Sequence, residues 1–196
     1  MLLQPADWLE VQGSDKKYAV DVFGRLPDDR VAKLRIVGFQ PYFYVRSKDE
    51  ESRDMFYSKI TSAMSKEGKY LAGLQLTQEW KLDAMAGFSS LKPIKVWKLT
   101  FNSGIMMKIV SRVLGDALDT TDVFESGLPP LIRLFHETDI SPASPISFEA
   151  EEEEPEDDEN VDVCFTINYK EIKPEPNAKI GLYAAAYDIE TYSSTG

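Results

Sequence analysis

Between residues 41 and 136 the apolar pattern switches back and forth between a two-residue and a 3.6-residue repeat, and this constrains the fold most. Residues 41–46 (Pro-Tyr-Phe-Tyr-Val-Arg) alternate, with Tyr42 and Tyr44 on one face and Phe43 and Val45 on the other. Ser52 is placed to cap a helix over 53–67 that lines up Phe56, Ile60, Ala63 and Met64, and Gly68 to end it. Two strands follow, one within 70–82 and one at 94–101, where Trp97, Leu99 and Phe101 alternate with Lys98 and Thr100. Asn102 or Ser103 caps a second helix whose wide apolar face carries Ile105, Ile109, Val110, Val113, Leu114, Ala117 and Leu118. A last strand is predicted over 131–136.

The order strand, helix, strand, strand, helix, strand is the split βαβ pattern of ferredoxin-like and RNA-recognition-like modules. Ahead of it, β-rich runs at 17–25 and 31–37 flank Leu-Pro-Asp-Asp-Arg at 26–30, whose proline and aspartates have turn chemistry, so a hairpin is expected. The fold class is α+β: a β-rich start followed by a βαββαβ module.

Charge divides the chain further. The formal net charge is -11, but nine of the 33 carboxylates fall in residues 149–159, which hold no Lys or Arg. The remaining 24 acids face 22 bases, so the rest is nearly neutral and nucleic-acid contact is not excluded. The acidic run lacks periodicity and large apolar residues, and is expected to be a solvated, flexible linker over 149–160. Its bland role is solubilising; a sharper one is electrostatic exclusion of nucleic acid. This sets domains at 1–148, 149–160 and 161–196. Cys164 is the single cysteine and cannot form an internal disulfide, which fits a reducing compartment. No stretch approaches the roughly 18 apolar residues of a membrane span, and residues 1–8 lack signal-peptide character. An intracellular, soluble protein is expected.

Beyond the linker, residues 161–169 alternate like a strand, 173–177 form a turn, and 180–189 read as a near-continuous apolar strand ending in Asp188-Ile189-Glu190. Alternation puts Asp188 and Glu190 on one side of that strand. Two adjacent carboxylates at a buried strand end repel, and are tolerated around a cation or a shared proton. A hard-metal site is the sharp reading; ordinary surface acids at a strand end are the bland one.

Residues 187–193 (Tyr-Asp-Ile-Glu-Thr-Tyr-Ser) closely resemble the first exonuclease motif of family B DNA polymerases. Residues 37–46 (Val-Gly-Phe-Gln-Pro-Tyr-Phe-Tyr-Val-Arg) and 131–140 (Leu-Ile-Arg-Leu-Phe-His-Glu-Thr-Asp-Ile) resemble amino-terminal segments of the same enzymes, in the same order. The ending at 189–196 looks most like delta-type and large-DNA-virus polymerases. Pro145 departs from the large aromatic expected there, which bears on local packing. The resemblance implies the amino-terminal region of a replicative DNA polymerase with 3′–5′ proofreading, cut just inside a ribonuclease-H-like exonuclease domain that opens at 161–196.

It further implies that Asp188 and Glu190 are catalytic metal ligands, holding Mg²⁺ or Mn²⁺ once the rest of that domain is present. Later exonuclease motifs and all polymerase motifs are absent from these residues, so the isolated chain is expected to be inactive. Implied partners are a DNA primer–template, nucleotides, a sliding clamp and accessory subunits, with no membrane. The implied location is the nucleus for a cellular enzyme, or the host nucleus or a cytoplasmic replication site for a viral one.

Tyr42, Tyr44 and Arg46 raise a base-stacking hypothesis, because sheet-face aromatics hold bases in RNA-recognition modules. The bland alternative is that one or both faces pack beneath helices. Lys33, Arg35 and Lys48 are candidates for tracking phosphates or are scattered surface bases. His136, the only histidine, reads as structural, and Cys164 as a small buried hydrophobe. Two rivals remain at this point: a stand-alone module binding single-stranded nucleic acid, and a dedicated exonuclease with an added amino-terminal domain.

Overall fold

The computed structural model describes residues 1–13, 15–48, 51–64, 68–85, 88–118, 122–156 and 160–182. Two sheets organise them. The chain opens with β1 (Leu2–Gln12), β2 (Tyr18–Arg25) and β3 (Val31–Val37), an antiparallel meander. β2, flanked by β1 and β3, is buried along nearly its whole length. The hairpin expected at 17–37 is present. β1, which no pattern flagged, pairs with β2 from Gln4↔Arg25 to Gln12↔Tyr18.

The second sheet contains β4 (Tyr42–Arg46), β5 (Gln75–Met85), β6 (Phe88–Thr100) and β7 (Val123–Phe124), in the order β5-β6-β4-β7 with every pairing antiparallel. Helix α1 (Arg53–Ala63) connects β4 to the β5–β6 hairpin, and α2 (Gly104–Ala117) connects β6 to β7. Both caps are serines: Ser52 accepts from the Met55 amide and Ser103 from the Met106 amide. Phe56 and Ile60 of α1, and Met107, Val110 and Leu114 of α2, bury against Phe43, Val45, Trp97 and Leu99. Phe56 stacks on Trp97 at 5.3 Å and Phe43 on Phe101 at 5.4 Å. Each buried side chain of this size contributes about 1.5–3 kcal/mol.

Between residues 41 and 136 two expected elements differ. Residues 131–136 form part of helix α3 (Pro130–Thr138) rather than a strand, and the two-residue β7 takes the last strand position. Pro130 at the first helical turn pre-sets φ, and Asp139 closes the helix in the left-handed region at φ 56°. The short apolar run satisfies either period. α1 stops at Ala63, and Gly68 opens a 3₁₀ turn (Gly68–Leu71) instead of ending the helix.

The first sheet is completed by β8 (Ile146–Ser147), β9 (Val163–Asn168) and β10 (Lys173–Pro174), in the order β10-β8-β1-β2-β3-β9. β9 runs parallel to β3, from Ala32↔Val163 to Val37↔Asn168. The segment after the acidic run therefore joins the first sheet, burying Val163, Phe165 and Ile167 in its core. Within the run itself, residues 151–154 are exposed as expected, yet Glu152 accepts from both terminal nitrogens, Nη1 and Nη2, of Arg30 at 2.9 and 2.8 Å. Glu153 forms a backbone bridge with Cys164. Of the strand expected over 180–189, residues 180–182 are irregular and the rest lie outside the described residues.

Candidate functional site

Asp188 and Glu190, with Thr191 and Tyr192, lie outside the described residues. As donors they are of the right type for a hard divalent cation, two carboxylates offering oxygen. Among the described residues no group of three or more His, Cys, Asp or Glu side chains is arranged to hold a metal.

The aromatic triplet on β4 is described in full. β4 lies between β6 and β7, with Phe43 and Val45 turned to the two helices and Tyr42 and Tyr44 to the opposite face, as alternation requires. That opposite face is not open. Tyr42 is 8% and Tyr44 5% exposed, their rings edge to face at 5.4 Å. Lys98 Nζ sits 3.9 Å from the Tyr42 ring centre and the Arg133 guanidinium 4.1 Å, while Lys81 Nζ is 3.7 Å from the centre of Tyr44. Each such contact is worth about 0.5–2 kcal/mol, more when desolvated. Arg46 is held at 3.1 Å by Asp122 and lies over Phe124 at 5.2 Å.

Glu125 organises the cations: Lys81 donates to it at 2.9 Å and Arg133 at 2.7 Å. Burial opposes its ionisation, but the two cations outweigh that and hold its carboxyl below the usual range. Burial pushes both tyrosine hydroxyls up, and Tyr42, which donates its hydroxyl to Glu137, stays neutral at any physiological pH. For Arg133, 4% exposed, burial disfavours the charge, yet Glu125 and Tyr42 raise its pKa overall. This cluster clamps α3 onto β4. On its opposite face α3 reaches the first sheet, with Phe135 edge-on to Trp8 at 4.9 Å. The arrangement therefore joins the two sheets, and sequence reasoning missed it because Lys81, Glu125 and Arg133 converge only in space.

The remaining candidates also have clear positions. Lys33 is buried, Lys48 is exposed, and Arg35 makes a two-pronged contact with Asp21 at 2.8 Å on each arm. His136 is exposed on α3, and Cys164 is buried in β9. Two clefts run between the sheets. One of about 390 Å³ is lined by Gln40, Tyr42, Lys98, Glu137 and Lys170; one of about 770 Å³ by Lys17, Arg35, Phe39, Asn102 and Thr166. Their mixed polarity offers hydrogen bonds along a path beside β3 and β4.

No family model matches the chain. Its sequence is similar to DNA polymerases of three large viruses. It is 25% identical to that of Acanthamoeba polyphaga mimivirus over 97% of this chain and 12% of the viral protein. It is 23% identical to that of Pyramimonas orientalis virus over 97% of this chain and 17% of the protein. For that of Paramecium bursaria Chlorella virus NY2A the figures are 25%, 96% and 20%. The chain thus spans between an eighth and a fifth of the curated relatives it matches. In fold it is similar to a family B DNA polymerase from the archaeon Pyrobaculum calidifontis, with a TM-score of 0.60 at 19% identity, over 90% of this chain and 21% of that one.

Proposed function

We propose that this chain, which matches the amino-terminal region of family B DNA polymerases, serves a polymerase that extends primers on a DNA template and removes mismatched 3′ ends. The observation that carries the reading is similarity to viral DNA polymerases over 96–97% of its length. In this reading the residues of β4–β7, α1 and α2 form a split βαβ module of the ferredoxin-like class, consistent with the order β5-β6-β4-β7. The module acts as a scaffold and contacts the template strand. Residues toward 196 open a ribonuclease-H-like exonuclease domain, where Asp188 and Glu190 would supply carboxylate oxygens to bound divalent cations. Bound there, Mg²⁺ or Mn²⁺ would generate hydroxide and stabilise the leaving oxygen.

The test uses the full-length polypeptide that carries this chain. It should extend a primed template and, with Mg²⁺, degrade single-stranded DNA from its 3′ end. Asp188→Ala with Glu190→Ala should cut degradation by at least about 10³-fold while primer extension persists. The 196-residue chain alone should show no metal-dependent degradation. Retained excision in the double variant would remove both residues from the site, and absence of primer extension would remove the polymerase reading.

A further inference from the structure

Among the described residues the two sheets have four outer edges, and three are blunted. β10 and β7 are two residues long, and β10 includes Pro174. The outer side of β9 is occupied by Glu153, which exchanges both backbone hydrogen bonds with Cys164, at 2.9 and 3.0 Å. β5 is different. It is 11 residues long, contains no proline, pairs regularly with β6 from Gln75 to Leu82 before a register shift, and among the described residues has no strand on its outer side. Its charged residues Glu79 and Lys81 lie on the tyrosine face, away from Trp80 and Leu82. Long unprotected edges are templates for strand addition, and folded proteins ordinarily suppress them.

The side chains beside this edge reinforce the point. On the face that β5 shares with Trp97, Trp80 is 68% and Leu82 60% exposed. Register sets Lys95 beside Trp80 and Pro93 beside Leu82, both exposed as well. Trp is the residue type most enriched among binding hot spots. Open main-chain groups and alternate apolar anchors on one strand are the two components of strand-addition recognition.

We infer that β5 is a docking edge for an extended segment from the remainder of the polymerase polypeptide, which adds a fifth strand and seats its apolar residues on Trp80 and Leu82. The inference rests on the proposed function. The occupant follows from length: at least four-fifths of each viral relative lies outside the region this chain matches. A segment tethered in the same polypeptide reaches an effective concentration of order millimolar, ahead of any free partner. Single-stranded nucleic acid would use Trp80 and Lys95 but leave the strand edge unpaired.

Hydrogen exchange on the 196-residue chain and on the full-length polypeptide tests it. The outward β5 amides should exchange almost unprotected in the short chain and at least about 100-fold more slowly in the full polypeptide. Trp80→Lys with Leu82→Lys should leave the short chain's circular-dichroism melt unchanged and restore fast exchange in the full polypeptide. Three results would overturn the inference: equal exchange in both; protection in the short chain that grows with concentration alongside a doubled mass, making a second copy the occupant; or protection only on adding an oligo-dT strand. A full polypeptide that protects β5 but cannot extend primers would sink the proposed function separately.

Discussion

Gly38 stands between β3 and the aromatic segment at φ 85°, a backbone that side chains rarely adopt. A Cβ there would lie 2.4 Å from Asn168 Nδ2, and the Asn168 side chain accepts the Lys170 amide at 3.1 Å beyond β9. Gly38→Ala should therefore cost about 1–3 kcal/mol, from the strained φ and the displaced asparagine, read as a lower urea midpoint. Gly68→Ala, with nothing within 4 Å of the added carbon, should stay within about 0.5 kcal/mol of the parent. The comparison shows what sequence reveals at this scale. Gly68 was the legible glycine, a helix stop by pattern, and it is structurally permissive. Gly38 matters because residue 168 folds against it, which no local pattern reports.

At the scale of elements, alternation on β4 correctly divides Tyr42 and Tyr44 from Phe43 and Val45, and the serine caps fix both helix starts. Helix α3 stands where alternation predicts a strand over 131–136, and Pro129-Pro130 ahead of a short apolar run is its helix-start signal. What covers the tyrosine face was also illegible, since Lys81, Lys98, Glu125 and Arg133 come from separate segments. The clamp has a pH signature. The folded carboxyl of Glu125 lies below its ordinary value of 4.5, so its stabilisation is complete above that pH. It is lost as pH falls through the lower, folded value. Stability should thus be flat in this respect from pH 7 to about 5 and decline below about 4.5. Glu125→Gln should remove that part of the acid limb and cost about 1–2 kcal/mol at pH 7, because Arg133 stays buried while Glu125 is partly solvated. Urea denaturation at a series of pH values measures both; an unchanged acid limb in the variant would refute the assignment.

For the whole molecule, composition alone drew a boundary at the acidic run, because nine carboxylates without a counter-charge cannot offset their ordering by burial. Arg30 and the Cys164 backbone hold part of that run, and the pairing of Ala32 with Val163 joins segments too far apart for any periodicity to link. β9 places Phe165, fully buried, edge-on to Phe148 at 5.2 Å, with Val163 and Ile167 in the same core. A chain ending at residue 148 would lose these three side chains and uncover β3 along its whole length. Large-to-small losses in a core cost about 1–5 kcal/mol each, and typical domains hold only 5–15 kcal/mol in total. The chain cut at 148 should therefore fail to show a cooperative melt and should aggregate through the exposed β3 edge. A chain ending at 175 keeps β9 and β10, and should melt in one transition within a few degrees of the 196-residue chain. Circular dichroism and light scattering on the two truncations decide it: a soluble, cooperatively melting 148-residue chain would mean that β9 decorates the first sheet rather than completing it.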